Sequence, residues 1–347
     1  MSETGQLTSL DSLGEFGLIE RIQSAIPFHS EHTIRGIGDD AAVCDTKGKK
    51  LVISTDCLTE GVHFDLAYVP MKHLGHKAVA VNLSDMCAMN VLPAQILMNL
   101  SVSGKYSLEA VDELYSGILH ACKQYSVELI GGDTTASQRG MHLTGTVLGY
   151  TEEEEITYRS GASVHEVICV SGNLGAAYAG LMLLERENRI YKENPGVQPD
   201  LSGYDYILQR QLRPEPRTDI VKVFRSENIK PTAMMDISDG LSTSITQMCE
   251  SSGCGAYLYA DRIPVHPDTE KFLNEIKVNQ WIAALNGGED YELLFTLKAS
   301  DYAKIDGKFD ISAIGFITDK SQNIRLELPD GTVSGLNDSG WNAFTKN

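Results

Sequence analysis

Six short acidic motifs carry the chemistry that this sequence offers: GIGDDAA (residues 36–42), STD (54–56), NLSD (82–85), GGDT (131–134), MDISDG (235–240) and GGEDYE (287–292). Carboxylate oxygens bind a hard cation such as Mg²⁺ directly or through its waters, and small neighbours let a phosphate approach. Each motif is expected where a strand runs out. One such motif carries little weight. Six in one chain point to a multi-metal centre that neutralises a polyphosphate.

Each motif also has a plainer reading. Asp236 and Asp239, with Ser238, could face one point at a helix mouth or simply cap the helix, since Asp and Ser are good N-caps. An EF-hand is excluded, because the D-x-D-x-D-G spacing and the Glu at position twelve are absent. Asp85 lies in the apolar stretch AVAVNLSDMCAMN. Buried there, it needs a cation or hydrogen-bond donors, and local backbone donors would also serve. Strand alternation sends Thr55 and Asp56 to opposite faces, although at a strand terminus the chain can turn and the Thr55 carbonyl can ligate. His63 sits in a Gly-containing loop, as a phosphate contact or a structural imidazole. GGDT supplies two glycines for close backbone approach, and Glu289 and Asp290 follow another Gly pair.

Several other chemistries are excluded. There is no GxxxxGK[ST] loop, no HRD…DFG set, no GxSxG and no HExxH. SGNLG is not a GxGxxG. If ATP binds, metal ions and backbone must do what a Walker lysine does elsewhere.

The elements that must hold these motifs alternate between helix and strand. Helical spacing covers residues 15–26, 71–90 and 108–125, and strands are expected at 50–56, 93–102, 127–130 and 141–150. A boundary falls at the acidic run 151–156. Beyond it, strands are expected at 166–171, 232–236, 291–297 and 311–318, with helices opening at SGNLGAA and covering 217–226 and 241–251. The polar stretch 185–203 reads as a surface insertion. The alternation makes this an α/β (α+β) chain with domains at 1–150 and 151–347.

The chain has 347 residues, suited to two domains, and a formal charge of −18. Such acidity argues against nucleic acid or an anionic membrane as partner. Seven dispersed cysteines with no CxxC pair fit reduced cytosolic thiols. The start of the chain has no basic n-region or apolar h-region, and no apolar run reaches 18 residues. A cytoplasmic location is expected.

Taken in order, GIGDDAA, STDCLTEGVHF, GHKAVAVNLSDMCAMN, GGDTTAS, YRSGA, SGNLGAAYAGL, LRPEPR, MMDISDGLS, GGEDYELLFT and GWNAF resemble thiamine-monophosphate kinases, over residues 36–344. The wider superfamily includes aminoimidazole-ribonucleotide synthetase, selenophosphate synthetase and the hydrogenase-maturation dehydratase. The resemblance implies the two-domain aminoimidazole-ribonucleotide synthetase-like fold with an ATP site where the domains meet. It implies transfer of the ATP γ-phosphoryl group to thiamine monophosphate, with several Mg²⁺ ions. Asp39, Ser54, Thr55, Asp56, Asp85, Asp133, Asp236 and Asp239 match metal-associated positions. Asp39, Tyr115, Gly132, Asp133, Arg159 and Ser238 match nucleotide contacts, and His63, Glu289 and Trp341 match positions facing thiamine phosphate. A homodimer through the N-terminal sheets is also implied, with 94–102 as a candidate contact. No general base is expected, because the attacking phosphate oxygen is already ionised.

The chain departs from the family pattern at His165-Glu166, where Gly-Asp is common, and in the longer stretch 185–203. Among rivals, selenophosphate synthetase needs a reactive Cys near the N-terminus, and residues 1–35 hold none. The hydrogenase-maturation relative carries a C-terminal Cys, where this chain reads TKN. An aminoimidazole-ribonucleotide synthetase-like enzyme and a non-catalytic Mg-nucleotide binding protein remain as alternatives.

Overall fold

The computed structural model describes residues 21–35 and 43–336. Two compact units form, one from the described residues of Met1–Met86 and Leu92–Glu153, the other from Cys87–Val91 and those of Glu154–Asn347. No described helix is long and apolar enough to cross a membrane.

In the first unit, β1 (Thr33–Arg35) and β2 (Val43–Cys44) form a small antiparallel pair. A separate sheet contains β3 (Lys50–Thr59), β4 (Pro93–Val102), β5 (Glu128–Ala136) and β6 (His142–Thr151), in the order β3-β6-β4-β5. The long helices α1 (Met71–Ala88) and α2 (Leu108–Tyr125) cover one face. Strand alternation explains why. Ile96, Met98 and Leu100 of β4 point to the helices and are buried, while Leu97 and Asn99 point away. The open face exposes Leu51 and Ile53 of β3, the latter by 57%.

α1 is apolar around its circumference because it is buried on all sides, with Leu74, Val79, Leu83 and Met86 fully enclosed. It crosses α2 at two glycines. A Cβ on Gly75 would lie 2.0 Å from the Leu114 carbonyl oxygen, and one on Gly117 would lie 1.9 Å from that of Lys72. α2 begins at Ser107, whose side chain accepts from the Ala110 amide, and ends at Ser126 in a left-handed conformation.

The second unit holds a seven-stranded sheet: β7 (Val167–Ser171), β8 (Ala233–Ile237), β9 (Gly255–Tyr259), β10 (Glu292–Leu297), β11 (Ile311–Thr318), β12 (Ile324–Glu327) and β13 (Val333–Gly335). Their order is β13-β12-β9-β11-β7-β10-β8, and only β9–β12 is a parallel pair. Helices are α3 (Ala176–Glu193), α4 (Asp205–Leu212), α5 (Thr218–Ser226), α6 (Leu241–Ser252), α7 (Pro267–Glu275), α8 (Gln280–Asn286) and α9 (Ala299–Ile305). β10 is buried on both faces. Leu294 joins the core with Ile237, Leu241 and Ile245, and Phe295 meets Phe224 of α5 edge to face at 5.0 Å. Helices therefore lie on both sides of this sheet, and the α/β expectation holds.

Three expectations change. β3 continues to Thr59, so STD lies inside the strand, paired with residues 145–147 of β6. β5 runs through GGDT to Ala136, because β4 continues alongside it as a parallel partner. The stretch 185–203 is not all surface insertion, since α3 runs to Glu193. Its Glu, Arg and Lys residues are good helix formers. Glu187 is buried there, bonded to Arg186 and to the Asp200 amide. Of the helix expected at 15–26, residues 21–24 are described and helical.

A buried polar network closes the second unit. Arg217 and Ser171 donate to Glu292 Oε2 at 2.6 and 2.5 Å, and Arg210 donates to Glu292 Oε1 at 2.7 Å. Asp290 accepts from the Gly175 amide at 2.7 Å and the Ala177 amide at 3.3 Å, at the N-terminus of α3. Burial pushes its pKa up to about 7, against the pull of Arg210 and the two amides.

Two consequences are measurable. Gly117→Ala drives a methyl into the Lys72 carbonyl and is expected to cost about 3 kcal/mol in urea unfolding. Asp290 holds its proton more tightly folded than unfolded, where its pKa is about 3.9, so its contribution is full at acid pH and is lost as pH rises through about 7. The stability of Asp290→Asn relative to wild type is therefore expected to climb by a few kcal/mol between about pH 4 and 7, then level off.

Candidate functional site

The first unit gathers Ser54, Asp56 and Asp85 on the helix-covered face of its sheet. The Ser54 hydroxyl donates to Asp85 Oδ2 in a short hydrogen bond. Two residues along β3, the Asp56 amide donates to Asn82 Oδ1 at 3.0 Å. Asn82 is held in turn by the Ala78 carbonyl, one turn back on α1. Asn82 and Asp85 are three apart in the helix and so face the same strand.

Thr55 points the other way. It is exposed, and its hydroxyl donates to the Gly145 carbonyl at 2.7 Å. Asp133 shares that open side. The ladder sets Asp133 beside Asn99, Asn99 beside Thr144 and Thr144 beside Cys57, and in-register neighbours point to one face. The structure thus puts Asp56 and Asp85 on the same side of the sheet and leaves the Thr55 and Asp133 side chains on the opposite face.

Gly132 lies against β4 so closely that a Cβ would sit 1.9 Å from the Met98 carbonyl oxygen, and its φ is +155°. Next to it in the chain after Asp133, Thr134 hydrogen-bonds the buried Tyr115, whose hydroxyl pKa burial pushes up to about 12. Tyr115 also lines a cavity of about 590 Å³ between residues 21–27 and α2, with Arg21, Asp112, His120 and Lys123. Arg21 closes one side through a two-pronged ion pair to Asp112, at 2.6 and 2.8 Å.

His63 is half-buried after β3. Its Nδ1 accepts the Thr59 amide at 3.0 Å, which places the ring proton on Nε2. That tautomer is a donor suited to an anionic oxygen.

In the second unit, MDISDG leaves β8 where GGEDYE enters β10. The two strands are antiparallel, with Ile237 opposite Glu292 and Asp236 opposite Leu293. Motifs far apart in sequence therefore meet at one strand end. The Glu289 amide donates to the Ser238 carbonyl at 2.7 Å, and the Tyr291 amide to that of Ile237 at 2.9 Å. A Cβ on Gly288 would come within 2.8 Å of the Ser238 carbonyl oxygen, so the close approach requires glycine. Glu289 is half-buried and accepts from Gln211 Nε2 at 2.8 Å.

The N-cap of α6 is Gly240, so no Asp or Ser of MDISDG occupies the cap position itself. Asp236 is largely buried at the end of β8, and Asp239 is half-buried. Arg159 is exposed in a loop stapled to the same strand, for the Met234 amide donates to the Tyr158 carbonyl at 2.9 Å. Asp39 and Trp341 lie outside the described residues.

Among the described residues no three His, Cys, Asp or Glu side chains of one cluster converge as a metal site. Among the candidate ligands, Ser54 and Asp85 are in side-chain contact, and the candidates Ser54, Asp56, Asp85, Asp236, Ser238 and Asp239 offer oxygen alone. Their chemistry fits Mg²⁺ rather than a softer ion. Gln211 was not foreseen. A lone glutamine in a polar stretch carries no pattern.

Comparison with known proteins bears on the family and the fold. Residues 38–151 match the AIR synthase related protein N-terminal domain, and 164–317 match its C-terminal domain. The thiamine-monophosphate kinase of Bacillus subtilis (strain 168) is 32% identical over 338 residues, covering 96% of this chain and 100% of the relative. A solved structure of AaThiL complexed with AMPPCP and TMP is 31% identical, with a TM-score of 0.74 over 99% of this chain and 100% of that one. The thiamine-monophosphate kinase from Stenotrophomonas maltophilia K279a is 30% identical, with a TM-score of 0.76 over 93% and 98%. With the match running the length of the chain and both domains in place, this chain belongs to the thiamine-monophosphate kinase family.

Proposed function

We propose that the chain transfers the terminal phosphoryl group of ATP to thiamine monophosphate, giving thiamine diphosphate and ADP. The observation that carries this reading is the near-complete correspondence with a relative bound to AMPPCP, a non-hydrolysable ATP analogue, and TMP. The acidic residues of both units supply a physical reason. Donor and acceptor are both polyanions, and the attacking phosphate oxygen is ionised at neutral pH. The barrier is repulsion and alignment, not deprotonation.

Magnesium, when bound, neutralises phosphate oxygens and holds them in line. Within the first unit Asp56 and Asp85, with Ser54, would hold magnesium, and within the second Asp236 and Asp239 would do so. Asp39, Thr55 and Asp133 are proposed to complete the metal set. Tyr115, Gly132, Asp133, Arg159 and Ser238 are assigned to the nucleotide. The cavity beside Tyr115 has a volume suited to a nucleoside. His63, Glu289 and Trp341 are assigned to the acceptor. His63 Nε2–H can donate to its phosphate, and Glu289 can offset the thiazolium charge or accept from the pyrimidine amine. The protein is read as a cytoplasmic homodimer, supported by the exposed Leu51 and Ile53 on the open sheet face.

The deciding assay mixes the chain with ATP, Mg²⁺ and thiamine monophosphate and reads thiamine diphosphate. Product is expected only when all three are present. Binding of ATP without product would instead make the chain a nucleotide-binding protein. Asp85→Asn keeps the Ser54 contact in shape but removes a charge, and is expected to lower kcat about 100-fold or more. Near wild-type turnover across a magnesium titration would make Asp85 purely structural. The metal-free variant is expected to melt no lower than wild type, since a buried charge has gone.

A further inference from the structure

Helix α4 touches the GGEDYE loop through two successive residues. Arg210 donates to the Asp290 carbonyl at 2.9 Å and to Glu292 at 2.7 Å. Gln211 donates through Nε2 to Glu289 Oε2 at 2.8 Å. Gln211 is only 5% exposed, and its Oε1 is buried with no partner among the described residues. The carboxylate decides the amide's orientation, because Glu289 accepts and only the NH₂ group donates. A buried acceptor without a partner lowers stability, and an apolar side chain of the same size would avoid that cost. For packing alone, glutamine is therefore a poor choice.

The loop that Gln211 reaches needs outside support. Glu289 and Tyr291 both have left-handed backbones, with φ of 68° and 52°, on either side of Asp290. Non-glycine residues hold that conformation only when their surroundings impose it. Arg210 secures the main chain at Asp290. Gln211 secures the one side chain of the loop that the proposed reaction uses.

We propose that Gln211 is a positioning residue for the acceptor site. It fixes the Glu289 carboxylate in one orientation, so that binding the cationic, amino-bearing end of the acceptor does not have to freeze that side chain. This rests on the reading of Glu289 as an acceptor contact. The charged groups around the pair are Arg210 on α4, Asp290 and Glu292 leading into β10, and Asp239 beside Gly288.

Steady-state kinetics on the full chain test it. Gln211→Met keeps the volume and removes the donor. The KM for thiamine monophosphate is expected to rise about 5–10-fold, with kcat and the KM for ATP within about two-fold of wild type. Glu289→Ala is measured alongside, and combining the two changes should be no worse than Glu289→Ala alone. A Glu289→Ala variant with an unchanged KM for the acceptor removes the reading of Glu289 and the inference with it. A raised KM there with none in Gln211→Met overturns only the inference. Gln211→Glu guards against a packing effect. It keeps the volume but sets a second carboxyl against Glu289, so the KM for thiamine monophosphate should rise as in Gln211→Met, with the KM for ATP unchanged. A KM for the acceptor that stays at the wild-type value in Gln211→Glu would mean that Gln211 merely fills space.

Discussion

The structure depends on how an acidic chain disposes of carboxylates inside an apolar interior. A buried carboxylate must be hydrogen-bonded, paired or protonated. This chain uses each route. Glu292 lies between Arg210, Arg217 and Ser171. Glu128, at the start of β5, collects the His29 ring, the Ser30 amide and the Thr33 hydroxyl, and so pins residues 29–33 to the first sheet. Asp290 caps α3 across space, with its pKa pushed up by burial. These three hold the scaffold. Asp85 is built differently, for it receives the hydroxyl of Ser54, which shares one face of β3 with Asp56. That oxygen-rich setting suits an exchangeable cation better than a permanent ion pair.

The sequence showed most clearly the elements with a strong apolar face. α2 at Leu108–Tyr125, β4 at Pro93–Val102 and β11 at Ile311–Thr318 fall where the spacing placed them. α4, α7, α8 and α9 leave no readable period, because such short helices bury too few residues. The second half of α3, within the stretch expected as a surface insertion, leaves no clear period either. Its buried face includes Glu187, a charged residue satisfied only by the fold around it.

The candidate site was legible as residue types and less so as geometry. Alternation put Thr55 and Asp56 on opposite faces, and the structure keeps them there. The escape of a strand end does not arise, because β6 pairs with β3 as far as Thr59. Asp133 lies on the open face through a register that no local pattern encodes. The meeting of MDISDG with GGEDYE follows from one antiparallel pairing between strands some fifty residues apart.

That pairing links the two ends of the proposed reaction. Ser238, proposed for the nucleotide, accepts a backbone hydrogen bond from Glu289, proposed for the acceptor. Ladder hydrogen bonds in a fully buried strand are stiff, and β10 is buried along its whole length. A phosphoryl transfer without a general base gains its rate from alignment, where a small misplacement is costly. The β8–β10 ladder supplies alignment without a hinge. Its Gly288 lets the two loops touch, and left-handed turns at Glu289 and Tyr291 flank Asp290. The strain of those turns is carried by Arg210 and Gln211 on α4, so a helix outside the acidic motifs belongs to the machinery that they form.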